Sequence, residues 1–521
     1  MSETTYRETP DQTKTGMPGG VPYIIGNEAA ERFSFYGMKG ILTVFMTTYL
    51  ITATGEPDNM GEEEAKGVYH AFAAAAYFFP ILGAIVADVF WGKYKTILYL
   101  SLMYCVGHGC LAVMDVAPHM GMGMRPWLFA GLIFIAVGAG AIKPCVSAHV
   151  GDQFGSGNKH LITQIFNWFY FSINLGAMAS MFLTPILLRE VGPWLAFGLP
   201  GVLMAIATFV FWLGRHKFIH VPPAGWKQFS KETFGAEGRR AILNLSPLFL
   251  IFVPVFWAIF DQTGSAWVLQ AEKLDPAFLG HNWLPAQIQS VNPVMILIGI
   301  PLFTYVVYPF MGLFFKPTPL RKIGIGFVFT AASFALSAWI ETGITERSQE
   351  VAAGLWAALN EAGVQGSGSL QDAIVAAKGA DWSPTQLKPY LDSMPSVGWQ
   401  FLAYAILTSG EIMVSIVCLE FAYTQSPKKM KSFVMGIYFL GVSLGNLFTS
   451  GVNFIIGAMK GEDGTTALDG ANYYWFFAGL MAATTLVYIV FSKFYKGETY
   501  IQGEDEDIAH AEAEAEGPDA R

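Results

Sequence analysis

Charge is what this sequence has least of. Only 14% of its 521 residues are Asp, Glu, Lys or Arg, against about 25% in soluble domains. Hydrophobic residues make up 53%, so folding in water would leave large apolar patches bare. A water-soluble globular fold is excluded, and a lipid setting is implied. The formal net charge of −9 is a property of one end, because nine acids and one arginine fall between Glu498 and Arg521. The body is near neutral, the low pI says nothing about a partner, and no basic face is left for nucleic acid. Cysteine is scarce as well. Cys105, Cys110, Cys145 and Cys418 lie in apolar stretches without zinc spacing or a loop partner, and read as small core residues. Also missing are a His-Glu-x-x-His motif, a Gly-x-Ser-x-Gly elbow and any Cys/His pair at ligand spacing. These absences argue against a membrane enzyme, a metal site and any cofactor. The first twenty residues are polar and rich in Gly, Pro and Thr, unlike a cleavable leader. Segment 1–20 is expected to be a disordered tail, with targeting left to the first span.

What is present is long apolar runs. Twelve of them approach the ~20 residues that cross a bilayer, centred near Leu42, Ile81, Tyr104, Ile135, Ile173, Ile206, Val255, Ile298, Phe329, Ile412, Leu440 and Leu480. Gly and Pro interrupt many of them, including Pro254, Pro293, Pro301 and Pro309. Such breaks are tolerated where helices pack around a cavity. Lys93, Lys95, the basic segment Arg215 to Arg240, Lys316, Arg321, Lys322, Lys428, Lys429 and Lys431 all follow even-numbered spans. The opposite loops are acidic or nearly bare, so both termini are expected in the cytoplasm. The predicted architecture is an all-α membrane protein of twelve helices in two six-helix bundles. Its parts are 21–214, a basic linker 215–240, a second bundle 241–496 with an outer insertion 342–397, and an acidic disordered tail 497–521.

Within the first span stand Glu28, Glu31 and Arg32, at i, i+3 and i+4 and hence on one face. Charges at bilayer depth cost roughly 2.5–3.5 kcal/mol each on insertion scales, and survive where they pair or line a water-filled path. The cluster reads as part of an ion or substrate route. Lys143 and Glu411 are further charges placed mid-span, and His70 and Asp261 lie toward the outer ends of the second and seventh spans. Each also has a plainer reading: an ion-pair knot, a snorkelling lysine, a solvated histidine or a helix cap.

Gly83-Ala-Ile-Val-Ala-Asp88-Val-Phe-Trp-Gly92-Lys93 resembles the loop signature of the major facilitator superfamily. Three further segments are similar to the proton-coupled oligopeptide transporter family. Glu28-Ala-Ala-Glu31-Arg32-Phe33-Ser-Phe35-Tyr36-Gly37 resembles its ExxERFxYYG motif. Phe169-Tyr170-Phe171-Ser172-Ile173-Asn174-Leu175-Gly176 resembles FYxxINxG, and Ser409-Gly410-Glu411 with Leu419-Glu420-Phe421 resembles a third. Tyr69-His70 and Phe256-Trp257 through Asp261 are similar to the mammalian intestinal type in particular. Phe35 replaces the first of the motif's two tyrosines, and Tyr438 stands where relatives often place tryptophan; both changes bear on side-chain acceptance.

The resemblance implies the major facilitator fold and a plasma-membrane symporter that imports di- and tripeptides, and possible peptide-like drugs, with protons as the coupling ion and a monomer as the working unit. A zwitterionic peptide needs a cation for its carboxylate, an anion for its amine and amide-compatible groups between. Arg32 and Lys143 suit the first need, and Glu411 the second. Asn174 and Asn292 offer both a donor and an acceptor, with Tyr36, Tyr77, Tyr170 and Trp257 as walls. Glu28 and Glu31 are the expected proton carriers, because burial raises a carboxylate's proton affinity while a neighbouring cation lowers it. A His70–Asp261 contact is expected to close the outer gate. Direct pairing of Lys143 with Glu411 would help the empty carrier return. A same-family carrier of another small anion or peptide-like conjugate is one alternative, and a peptide-sensing receptor is another.

Overall fold

A computed structural model describes residues 6–391, 393–425, 431–461 and 466–495. The acidic tail, Lys428 and Lys429 lie outside the described residues. The chain order is α1 (Val21–Thr48), α2 (Glu62–Trp91), α3 (Lys93–Val116), α4 (Met124–Gly151), α5 (Gln164–Glu190) and α6 (Pro193–His216). A short linker helix α7 (Trp226–Phe234) follows. Then come α8 (Gly238–Ala271), α9 (Pro285–Gly312) and α10 (Pro319–Glu361). Two short helices, α11 (Leu370–Gly379) and α12 (Pro384–Leu391), form the insertion. The chain ends in α13 (Gly398–Ala422), α14 (Phe433–Ala458) and α15 (Ala471–Phe494).

Among the described residues, eleven helices are long and apolar enough to cross a membrane. The remaining long helix is α1, whose 28 residues reach about 42 Å. Its charges depress its hydropathy, yet Glu28, Glu31, Arg32 and Lys39 are only 2, 1, 9 and 5% exposed. They face protein, which is why a helix so charged can stand at bilayer depth. Twelve crossing helices result, in agreement with the twelve apolar runs.

Two hydrophobic cores organise them. One gathers residues from Val21 to Phe218, the other from Leu245 to Tyr488, and Tyr77 of α2 packs against the second. Lipid offers little hydrophobic drive between helices, so close backbone approach at small residues does the work. A Cβ on Gly83 would lie 2.0 Å from the Ala141 carbonyl of α4, and one on Gly441 would lie 2.1 Å from the Phe249 carbonyl of α8. Short π turns interrupt four spans at Ala87–Trp91, Leu248–Phe252, Phe303–Val307 and Ile412–Ile416. The second and third precede Pro254 and Pro309, which withhold a backbone donor. The fourth has no proline and starts directly after Glu411, the kind of local irregularity that helices keep at working positions.

The N-terminal segment differs from expectation. From Tyr6 onward it is seated rather than disordered: the His220 amide donates to the Arg7 carbonyl at 2.7 Å, and the Ser156 amide to Gln12 Oε1 at 2.7 Å. The Tyr6 ring stacks on His220 at 4.1 Å. Backbone pairing and one aromatic suffice to hold a polar strand, and neither registers in composition. In the insertion, α10 runs 43 residues to Glu361, and Leu355, Leu359, Ala373, Ala377 and Leu387 form a small core of their own.

Gly83→Ala is expected to lower stability by about 1–3 kcal/mol through overpacking. Gly26→Ala, where a Cβ meets nothing within 4 Å, should leave it unchanged or slightly raised; thermal unfolding of the solubilised protein reads both.

Candidate functional site

The two halves meet most tightly at the end of the bundle opposite the chain termini. Lys39 of α1 donates to Asp261 Oδ1 of α8 at 2.8 Å, with both side chains buried. Asn446 of α14 donates its amide to Asp261 Oδ2 at 2.6 Å. His70 of α2 lies 2.8 Å by Nδ1 from Asn446 Oδ1 and 2.8 Å by Nε2 from Ser265 Oγ. Because the Asn446 nitrogen is committed to Asp261, its oxygen accepts, which places the histidine proton on Nδ1 and leaves Nε2 to accept from Ser265. Nearby, Thr43 Oγ1 donates to the Gly264 carbonyl at 2.7 Å and Gln289 Nε2 to the Gly40 carbonyl at 2.9 Å. Every one of these bonds crosses between halves or extends one that does.

This corrects the expected His70–Asp261 contact. Asp261 is held by Lys39, and the histidine reaches it only through the Asn446 amide. Counting charges picked out the two titratable ends and overlooked the neutral group between them. Lys39 had a signal: it lies seven residues after Arg32, on the same helical face.

Deeper in the bundle, Arg32 Nε donates to Glu28 Oε1 at 2.6 Å. Glu31 Oε2 lies 3.0 Å from the same nitrogen but outside hydrogen-bond alignment, and both its oxygens lack a partner. Lys143 of α4 is buried, and among the described residues its Nζ has no hydrogen-bond acceptor. Instead its ammonium sits 4.1 Å from the centroids of both Phe35 and Tyr77, a cation–π sandwich. The phenylalanine that replaces a motif tyrosine thus serves as one of its two faces. Tyr77 continues toward the second half, 6.4 Å from Trp257 and 6.1 Å from Phe439.

On the facing side, Asn292 of α9 donates to Glu411 Oε2 of α13 at 2.7 Å and to Thr408 Oγ1 at 3.0 Å. No cation partners Glu411 among the described residues, so the expected Lys143–Glu411 pair is absent here. Asn174 spends its amide on the Tyr170 carbonyl of its own helix, at 3.0 Å. The structure therefore brings together Arg32, Glu28 and Glu31; Lys143 with Tyr77 and Trp257; and Glu411 with Asn292.

The rim of the closed end is ionic. Lys273 lies 3.4 Å from Glu62, and Lys460 lies 2.8 Å from Glu63, each pair joining the two halves. Beside them Glu272 reaches the surface at a rim crowded by protein, so its side chain is exposed while its carboxyl is only partly hydrated. Lost hydration first, and the Glu62 charge second, push its carboxyl up from the usual 4.5 to about 7, with Lys273 opposing.

Twelve crossing helices in two cores, closed at one end over a charged interior, define a multi-pass membrane protein. The model of the POT family matches residues 94–235, 226–394 and 370–466. Peptide transporter family 1 of Drosophila melanogaster is 37% identical over 363 residues, which is 62% of this chain and 48% of that protein. Mouse solute carrier family 15 member 2 is 35% identical over 378 residues, 64% of this chain and 50% of that one. The chain thus spans about half the length of the curated relatives it matches. The crystal structure of an auto-inhibited POT family peptide transporter is 29% identical, with TM-score 0.73, covering 93% of this chain and 99% of that one. That of the POT family transporter PepTSo is 31% identical, with TM-score 0.72, covering 92% and 99%. This chain belongs to the POT family, and its architecture is the family's major facilitator fold.

Removing one member of a buried ion pair strands the other, at about 3–5 kcal/mol. Lys39→Met or Asp261→Leu alone is expected to lower thermal stability by that order, and the double variant to recover most of it. For Glu272 the sign runs with acid. A carboxyl held above its unfolded value binds a proton on folding, so stability is gained as pH falls from about 7 to 4.5. Glu272→Gln should flatten that slope in thermal melts across the window.

Proposed function

We propose that this chain is a proton-coupled symporter that imports di- and tripeptides across the plasma membrane by alternating access. One observation carries the reading. Among the described residues, a buried ammonium without an acceptor, Lys143, stands in the first half, and a carboxylate without a cation, Glu411, stands in the second. A zwitterionic peptide is the ligand that supplies both missing partners, its carboxylate to Lys143 and Arg32 and its amine to Glu411. Between them Tyr77, Trp257, Tyr36 and Tyr170 offer apolar walls with hydroxyl or indole tips, and Asn292 offers an amide already turned to Glu411. Such a ligand bridges the halves and favours the state closed upon it. The Drosophila relative and the auto-inhibited structure named above are peptide transporters, which supports the same reading.

Proton coupling follows from competition. When the peptide carboxylate draws Arg32 away from Glu28 and Glu31, those carboxylates lose their cation and take up a proton. At the closed end, protonating the Asp261–Asn446–His70–Ser265 chain removes the acceptor that holds Lys39. The halves then part on that side. Loading and proton binding are thereby tied to the same charges.

The test is uptake of labelled dialanine into proteoliposomes, with and without an inward proton gradient. Accumulation should require the gradient and fall at least about tenfold in Glu411→Ala, the loss of one charge-assisted contact of roughly 1.5–3 kcal/mol. Glu31→Gln should abolish gradient-driven accumulation while sparing peptide-for-peptide exchange. No dialanine uptake by folded protein would overturn the peptide assignment and favour a shifted substrate or a sensor.

A further inference from the structure

The linker between the halves contains a helix that neither core uses. α7 runs Trp226–Phe234 and is set off by Gly225, at φ +81°, and by the extended Gly235. It is confined to the membrane boundary, because α6 ends at His216 just before it and α8 begins at Gly238 just after it. At about 100° per residue, Trp226, Phe229, Thr233 and Phe234 share one side, on which Thr233 is buried and Phe229 half-buried against the protein while Trp226 and Phe234 stand at its two edges toward solvent. Lys227 and Lys231 fall beside Phe234 on the flank. Trp226 is 57% and Phe234 51% exposed, an unusual outlay of aromatic surface for nine residues. Lys227, Lys231 and Arg239 are exposed as well. From residue 215 to 240 the chain holds six Lys or Arg against two acids, Glu232 and Glu237.

The same segment touches both halves. Before α7, the Ala224 amide donates to the Asp88 carbonyl at 2.8 Å, and the Val221 carbonyl crosses Gly92 so closely that a Cβ there would lie 3.2 Å from it. From α7 itself, Phe229 and Phe234 pack edge-on against Phe433, at 6.0 and 6.2 Å. Phe433 is the first residue of α14. A strap thus runs from the α2–α3 turn of the first half to the foot of α14 in the second.

We infer that α7 is a binding surface for acidic phospholipids of the bilayer. Trp226 and Phe234 enter the headgroup layer, and Lys227, Lys231 and Arg239 hold the phosphates. Exposed aromatics on one side with lysines along the flank is the arrangement of a helix that lies in a membrane interface. The excess of positive charge selects the anionic leaflet. Because the helix also rests on Phe433, lipid bound there bears on the contact that joins the two halves at the terminal end.

The test uses the whole protein in lipid nanodiscs, and its readout is independent of transport. The fluorescence component lost on Trp226→Phe is measured with brominated phosphatidylglycerol and with brominated phosphatidylcholine. Quenching by the anionic lipid is expected to exceed that by the neutral lipid by at least about twofold, as surface charge attraction requires. The triple variant Lys227→Gln, Lys231→Gln, Arg239→Gln should abolish that preference while quenching by the neutral lipid persists. Equal quenching by both lipids would overturn the charge recognition, and no quenching by either would overturn the membrane contact itself.

Discussion

Every feature of the interior is arranged around the expense of charge where water is absent. An ion that cannot be hydrated must be paired, shared or covered by polarizable rings. The protein uses all three devices. Lys39 and Asp261 are paired, Glu28 and Glu31 share Arg32, and Lys143 is covered by Phe35 and Tyr77. Of these three buried arrangements, the pair between Lys39 and Asp261 is the one whose opposite charges stand in opposite halves. It therefore converts an electrostatic necessity into a mechanical one, since separating the helices means separating the ions.

Neutral groups decide how that pair communicates. Asn446 presents a donor to Asp261 and an acceptor to His70, so the two titratable groups are coupled through an amide that never changes charge. Such a relay fixes the tautomer of the ring and gives the histidine a reason to be fully buried. Ser265 completes it, with a hydroxyl able to turn from donor to acceptor as the ring gains a proton.

The sequence is most legible where its chemistry is rarest. In a chain this poor in charge, Glu28, Glu31, Arg32, Lys143 and Glu411 announce themselves, and all lie in the interior of the helix bundle. Eleven of the crossings are equally plain from length and hydropathy, whereas α1 is carried by its length and by the burial of its charges. Partners were less plain. His70 and Asp261 were matched directly because a one-dimensional reading joins titratable residues and passes over an asparagine in an apolar run. The N-terminal segment looked disordered since composition records side chains, whereas the carbonyl of Arg7 and the ring of Tyr6 do the holding.

The length of α10 sets a lever. Its 43 residues make a rod of about 65 Å in a hydrocarbon slab of about 30 Å. A tilt of about 5° at the embedded half carries the far end some 3 Å sideways. About 21 Å short of that end, where the sideways movement is smaller, Arg347 grips the Ser393 carbonyl at 2.9 Å, and the Val397 amide donates to the Asp275 carbonyl at 2.9 Å. Asp275 opens the small hairpin whose His281 and Trp283 lean on Phe182 of the first half. Rod angle and hairpin position are consequently one geometric variable, so a torque applied outside the membrane is transmitted to the seam between the halves.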